Sequence, residues 1–253
     1  MTVIRPDRRH LLLAGGALAL SGCDGLVRNA QAQCTVKKAE QVSKRTQRAL
    51  ARDALAPEYE EKDISKDFRA NGSVDPSAAE YRALKANDFR DYQLIVDGLV
   101  ETPLALSLAE LRRLPSRTQI TKHDCVEGWT SIGKWKGARL SAVLNRARLK
   151  PEAKFVVFHC FDALDQTENG ERYYTSVDIR EAYHEQTILA YEMNDEILPI
   201  KHGAPIRLRL ERQLGYKMAK YIKRIEAVES FAHIGRGKGG YWEDRGYEWY
   251  AGI

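Results

Sequence analysis

The chain has 253 residues, 43% hydrophobic and 30% charged, with 18 glycines and 8 prolines; these proportions describe a globular protein and exclude disordered, fibrous and multi-span membrane classes. Its 40 basic and 35 acidic residues leave a net charge of +5, but they interleave without a block of like charges, so no nucleic-acid partner is expected. A chain of this length builds a core without a disulfide framework, and four cysteines fit that.

At the amino terminus, Arg5, Arg8 and Arg9 precede an apolar run from Leu11 to Leu20 and then Ser21-Gly22-Cys23. That is the charged, apolar, small-residue order of an export signal, and the run is too short to span a bilayer. Adjacent Arg8-Arg9 resembles the twin-arginine signal of proteins exported already folded, with Asp7 and Leu11 in place of the usual Ser and Phe. Leu20-Ser21-Gly22-Cys23 resembles a lipobox, in which Cys23 would be acylated and anchor the protein to a membrane; the alternative is a plain signal peptide. Residues 1–22 are therefore read as the signal, and the working compartment as periplasmic. Their removal takes away three Arg and one Asp, leaving +3.

Residues 23–66 are polar and charge-rich, among them Lys37, Lys38, Glu40, Lys44, Arg45, Arg48 and Arg52, and read as a tether or peripheral helix. Residues 67–253 read as one domain. Leu94 and Val96, Asp97-Gly98, then Leu99-Val100 predict a strand, a tight turn and a second strand. Ser107 with Glu110 is a capping box opening a short helix that Pro115 ends. A strand over Thr118–Thr121, a helix over Leu140–Ala147 and a buried strand over Phe155–His159 follow. Next come a short helix near Asp178–His184, a hairpin about Asn194-Asp195, and strands over Ile206–Leu210 and Ile222–Val228. Strands and short helices mix without regular βαβ spacing, which predicts an α+β fold with short peripheral helices.

Cys34, Cys125 and Cys160 remain after export, so at least one thiol is unpaired or otherwise employed. Cys125 lies in His123-Asp124-Cys125-Val126-Glu127-Gly128-Trp129, a polar, aromatic-flanked loop after a strand. There it fits a nucleophile, a soft-metal ligand, a buried thiol or half of a disulfide with Cys160. Arg207 and Arg209 alternate with apolar residues, and Gly215 then allows a turn that presents Lys217 and Lys220. This is either a phosphate cradle or a solvated basic strand face. Gly235-Arg236-Gly237-Lys238-Gly239-Gly240 lacks the setting of a nucleotide loop and reads as a flexible surface turn. The aromatic carboxyl end, from Tyr241 to Tyr250, is either a tail packed over the core or a docking surface for an electron carrier.

Several segments together resemble a family. They are Val96–Val100 with Pro103, Cys125–Trp129 with Trp135 and Gly137, Leu189-Ala190-Tyr191 with Met193-Asn194, and His202–Arg207 with Gly215-Tyr216-Lys217. From about Phe68 onward they are similar to the molybdopterin-dependent oxidoreductases of the sulfite oxidase superfamily, and most to the exported bacterial branch that includes periplasmic methionine sulfoxide reductase catalytic subunits. The resemblance implies a sulfite-oxidase-type fold of mixed sheets and Mo-molybdopterin as cofactor, with no haem and no Fe-S cluster. Cys125 would be the thiolate on molybdenum. Asn71, Arg207 and Lys220 would hold the pterin or its phosphate, with Lys217, His202 and Cys160 as further cofactor contacts. Because molybdopterin is inserted inside the cell, a twin-arginine route agrees with it.

The resemblance also bears on the reaction. Sulfite oxidases carry arginines after the metal cysteine, whereas this chain has Glu127. A like charge ~5 Å from a bound anion costs about 3 kcal/mol at an effective dielectric near 20. Oxygen-atom transfer from a small oxidised substrate, an S-oxide or N-oxide, is therefore expected before sulfite-type oxidation. Glu127 is a candidate proton relay, the alternative being an ion pair with Lys134 or Lys136. Electrons would come from a membrane or periplasmic donor such as a haem protein. Two other classes stay open: an exported binding lipoprotein without redox chemistry, and a thiol or zinc enzyme built on His123, Cys125, His159 and Cys160.

Overall fold

In the computed structural model the chain divides into Met1–Arg52 and Asp53–Ile253. The described residues are Val42, 44–46, 54–168 and 170–253. Of the first unit, Val42 and 44–46 are helical; the export signal, the lipobox, Cys34 and most of the expected tether lie outside the described residues. Within the second unit, residues that the tether reading included already join the sheets. Tyr59 N donates to Ile120 O at 2.9 Å and Ser65 N to Ile132 O at 3.0 Å.

Among the described residues ten strands follow, in chain order β1 (Gln93–Gly98), β2 (Leu104–Ser107), β3 (Ser116–Asp124), β4 (Thr130–Arg139), β5 (Phe155–Ala163), β6 (Arg172–Asp178), β7 (Ile188–Met193), β8 (Glu196–Ile197), β9 (Arg207–Arg209) and β10 (Ile222–Val228). Short helices α1 (Ala79–Ala86), α2 (Leu108–Arg113), α3 (Leu140–Ala147) and α4 (Ile179–Ala182) interrupt them. One sheet has the order β2-β1-β10-β5-β6; the other runs β3-β4-β7-β8 with β9 also on β7. β1 pairs with β10 in parallel, whereas β3 with β4 and β4 with β7 are antiparallel. This mixed pairing with short helices is the expected α+β arrangement.

Local chemistry explains several boundaries. The Ser107–Glu110 capping box forms in both directions at the start of α2. Asn194 and Asp195 both take positive φ, 53° and 64°, so the β7–β8 hairpin turns tightly where expected. The strand expected at Leu99-Val100 is instead a single bridge from Val100 to Leu149, and β1 pairs with Leu104–Ser107. Gly98 causes that shift: at φ +82° its Hα faces the Ala227 carbonyl, where a Cβ would approach to 2.3 Å, so the chain leaves the sheet there. The glycine-rich segment is packed on β6 and is not a flexible turn. Ser176 Oγ donates to Gly239 O, and the Asp244 carboxylate accepts from the Arg236 and Lys238 amides.

Candidate cofactor-binding active site

The β3–β4 hairpin presents Cys125. Cys125 N donates to Trp129 O and Gly128 N to Cys125 O, both at 2.9 Å, and Gly128 supplies the positive φ that closes the turn. The alternation that buries Gln119, Thr121 and His123 along β3 continues to Cys125, whose thiol is mostly buried. Burial pushes that thiol up; the backbone N–H groups of Glu127 and Val126 and the charge of Arg69 oppose the shift. Cys125 and Cys160 are both free thiols, so the disulfide alternative does not hold.

Cys125 opens into a cavity of about 150 Å³. Val126 and Glu127 continue its wall; Asn71, Gly72 and Ser73 form a second side, and Asp162 on β5 a third. Gly215, Met218 and Lys220 close the floor, while Tyr216, Trp242 and Tyr247 supply aromatic rings. The aromatic carboxyl segment thus packs on the domain and also walls the site. Asp162 and these tail aromatics were invisible to motif reasoning. Their signal was Asp162 two positions beyond Cys160 on a buried strand, and a tail too aromatic to remain in water.

The basic residues divide by partner. Arg207 is fully buried, Nη1 donates to His202 O at 3.0 Å, and Nε and Nη2 have no partner among the described residues. Burial and neighbouring Arg209 pull its pKa down to about 9. Lys220 Nζ donates to Asn71 O at 2.6 Å, to Ser73 O and to Lys201 O at 3.2 Å, tying the Asn71 segment to the floor. Its pKa falls to about 7 through burial and the nearby Arg207. Lys217 does not line the cavity and pairs with buried Glu243. His202 stacks edge-on against Phe68 at 5.5 Å, its pKa drawn down to about 4 by burial and Arg207. Cys160 sits in the core on β5, its thiol pushed up by burial, and does not line the cavity. Asp162 does line it: Ser73 Oγ donates to one oxygen, the other is unpartnered, and burial raises the pKa to about 6.

Buried polar groups are ordinarily paired, and each orphan costs about 1–3 kcal/mol. Arg207 Nε and Nη2, His123 Nε2 and Asp162 Oδ1 are all orphans among the described residues; Asp162 lines the Cys125 cavity, whereas Arg207 and His123 do not themselves line it. A polar, anionic ligand with a metal for Cys125 satisfies such a set; a surface basic strand face, as the alternative reading had it, does not describe Arg207 or Arg209, which are buried. Among the described residues no three His, Cys, Asp or Glu side chains converge on a metal position, so the His123, Cys125, His159 and Cys160 set is not assembled. His159 instead meets Glu226 at 2.8 Å.

Residues 81–233 match the family of oxidoreductase molybdopterin-binding domains. The chain belongs to this family. Asn71 and the tail aromatics of the molybdopterin oxidoreductase site lie outside the matched span, while Cys125, Arg207 and Lys220 lie within it. A relative from Azospira oryzae, provisionally named protein-methionine-sulfoxide reductase subunit YedZ1, is 39% identical over 78% of this chain and 68% of its own length. The protein-methionine-sulfoxide reductase catalytic subunit MsrP of Campylobacter jejuni is 30% identical over 54% of this chain and 49% of that protein. Among solved structures, the sulfane dehydrogenase SoxCD from Paracoccus pantotrophus is similar with a TM-score of 0.50 and 25% identity, over 56% of this chain and 39% of that one.

Proposed function

We propose that this molybdopterin oxidoreductase reduces a neutral S-oxide, with N-oxides as a second acceptor class, outside the cytoplasm and with electrons from a separate partner. A sulfoxide, two protons and two electrons give a thioether and one water: the S–O bond breaks, sulfur is reduced and its oxygen leaves as water. Bound molybdopterin would supply two-electron, oxygen-atom-transfer chemistry, the two electrons passing to the substrate sulfur and being replaced by the partner. Cys125 would ligate that metal; Arg207 would neutralise the phosphate, and Lys220 would keep the Asn71 segment, whose side chain is the expected pterin contact, against it.

The observation that carries the reading is the wall beside Cys125. Val126, Trp242 and Tyr247 offer apolar and aromatic surface suited to a thioether side chain; Asp162 and Lys220 also line the cavity but are buried, and the exposed charge in the lining is the Glu127 carboxylate. Lys134 pairs with Glu61 at 2.6 Å and Asp195 at 2.9 Å, and Lys136 with Glu192 at 3.0 Å. Glu127 instead accepts from the Trp129 indole at 3.0 Å. It is therefore held at the mouth, exposed, where it can pass protons from solvent to the departing oxygen. Exposure weakens its repulsion of an anion to about 1 kcal/mol at ~5 Å, roughly fivefold in affinity. One cation favours the second reading, sulfite-type oxidation: Arg69 stands 5.4 Å over Trp129 and its charge reaches Cys125, although it does not line the cavity.

Both curated relatives are named as subunits, which supports a partner that delivers electrons, such as a haem protein at the membrane. The order of Arg8-Arg9, the apolar run and Cys23 supports folded export and lipid anchoring; Cys23→Ser should move the protein from the membrane to the soluble periplasmic fraction. The decisive assay measures molybdenum and pterin content, then viologen-coupled reduction of methionine sulfoxide and trimethylamine N-oxide against ferricyanide-coupled oxidation of sulfite. One molybdenum per chain and faster sulfoxide reduction are expected, with turnover abolished in Cys125→Ser. Faster sulfite oxidation would overturn the substrate reading, and metal-free protein from a cofactor-competent host the catalytic one.

A further inference from the structure

Behind the Cys125 turn, β3 and β9 bury a charged network that the chemistry above leaves unused. The side chains of Arg209 and Glu211 are fully buried. Arg209 Nε donates to Glu211 Oε1 at 2.9 Å and Nη2 to Oε2 at 2.6 Å, and the Gln119 amide donates to Oε1 at 2.7 Å. The guanidinium carbon lies 4.4 Å from the centre of the Trp135 ring. The remaining arm, Nη1, meets His123 Nδ1 at 3.1 Å. Stability alone does not account for the arrangement, because apolar side chains of similar volume in place of a buried ion pair are often neutral or stabilising.

The contact assigns a tautomer. A guanidinium has donors only, so the ring nitrogen facing Nη1 accepts and carries no proton. Met218 Sδ is also 3.3 Å from Nδ1. A proton shared with that weak thioether acceptor would confront an Nη1 hydrogen, so the arginine decides. The ring proton of His123 therefore sits on Nε2. That N–H is buried and has no partner among the described residues. It ends against Gly215, where an added Cβ would stand 2.5 Å from it; the ring does not itself line the cofactor cavity, but Gly215 and Met218, the two residues it touches there, do.

We propose that Arg209 and Glu211 are positioning residues that hold His123 as the Nε2–H tautomer, so that the ring donates a hydrogen bond to an acceptor atom of bound molybdopterin beside Gly215. A donor there stabilises negative charge on the cofactor and tunes its metal couple. The inference depends on molybdopterin binding, which the family establishes, and not on which acceptor is reduced.

The test is long-range 1H–15N NMR on the full chain with labelled histidine, prepared with and without cofactor. His123 should show an unprotonated Nδ1 and a protonated Nε2 in both, and the Nε2–H resonance should move on loading. Replacing the pair with Arg209→Met and Glu211→Leu should release the ring to the Nδ1–H form facing Met218, and pterin should leave in urea about tenfold faster, the size of one hydrogen bond. His123→Gln keeps an N–H donor of similar reach and should retain the wild-type release rate and Mo(V) EPR spectrum, whereas His123→Leu should change both. A protonated Nδ1 in the wild type overturns the proposal, as does an Nε2–H unmoved by cofactor. So does a His123→Leu protein with wild-type release and EPR, or a His123→Gln protein no better than His123→Leu.

Discussion

The Lys217–Glu243 pair decides whether Lys217 serves the cofactor itself or the wall around it. Both side chains are 1% exposed, and the Lys217 ammonium also lies 5.4 Å from the Trp249 ring. Burial lowers the Lys217 pKa and the Glu243 carboxylate opposes that shift. Lys217→Met leaves a carboxylate buried with no cation, a change that costs about 3–5 kcal/mol. For a domain of this size that is roughly 6–20 °C in Tm. Glu243 begins the turn Glu243–Arg245, flanked by Trp242 and Tyr247 of the cavity wall, so the same change should loosen the wall and reduce bound pterin. Lys217→Met with Glu243→Met replaces both charges by apolar chains of similar length and should return to within about 1 kcal/mol of the wild type. Calorimetry of all four proteins gives the cycle, and pterin fluorescence gives cofactor content. If Lys217 acts through the tail, the double variant regains cofactor. A double variant as cofactor-poor as Lys217→Met would show that the ammonium touches the cofactor directly, and a single variant as stable as the wild type would refute the buried-pair argument.

Three further outcomes follow from the same geometry. Arg207→Met should stabilise the cofactor-free protein by about 1–3 kcal/mol, because two buried donors lose their unmet demand, yet should lower pterin retention; destabilisation of both forms in a melting experiment would contradict this. His202 is held neutral in the folded protein down to about pH 4 by burial and Arg207, while the unfolded chain takes up a proton below about 6.5. Its contribution therefore makes stability fall as pH drops from about 6.5 to 4. Asp162, raised to about 6, works in the opposite direction over the same range. The comparison must therefore be with His202→Asn at each pH in cofactor-free protein, where the variant should lose less stability on going from pH 7 to 5. Gly215→Ala places a methyl 2.5 Å from His123 Nε2 and 3.3 Å from Asp124 O; it should cost about 1–3 kcal/mol and reduce cofactor content, and an unchanged Tm would mean that the His123 ring moves freely.

Elements whose cause is local were legible. Helix α3 spans the expected residues because Leu140, Val143, Leu144 and Ala147 recur on one face, and β10 spans its expected residues with Ile222, Ile225, Ala227 and Val228 buried. Strands β4 and β6 were not, because their buried positions look nothing like an apolar alternation. In β4 they include Ser131, Gly133, Trp135 and Gly137, and at Gly137 a Cβ would stand 2.2 Å from Leu189 O. The backbone approach that defines the strand is thus written as glycine. In β6 the buried positions run without alternation through Tyr173, Tyr174, Thr175, Ser176 and Val177, and Tyr173, Tyr174 and Ser176 are bound by hydrogen bonds to distant segments.

The same distinction separates residues within the site. A loop motif suffices to find Cys125 and Glu127, because their neighbours in sequence are their neighbours in space. His123 and Arg209 are 86 positions apart, and nothing near either one states that they meet. Lys217 and Lys220 carry identical chemistry three positions apart, yet the 3-10 turn Gly215–Lys217 ends between them and sends their side chains to different partners. Lys220 reaches the carbonyls of Asn71 and Ser73 at the cavity, and Lys217 reaches Glu243 on the carboxyl segment. Charge together with the family resemblance made both candidates for the cofactor. The backbone turn between them separates the one that braces the pocket floor from the one that pins its wall, which is why removing Glu243 should relieve the loss of Lys217 and should do nothing for the loss of Lys220.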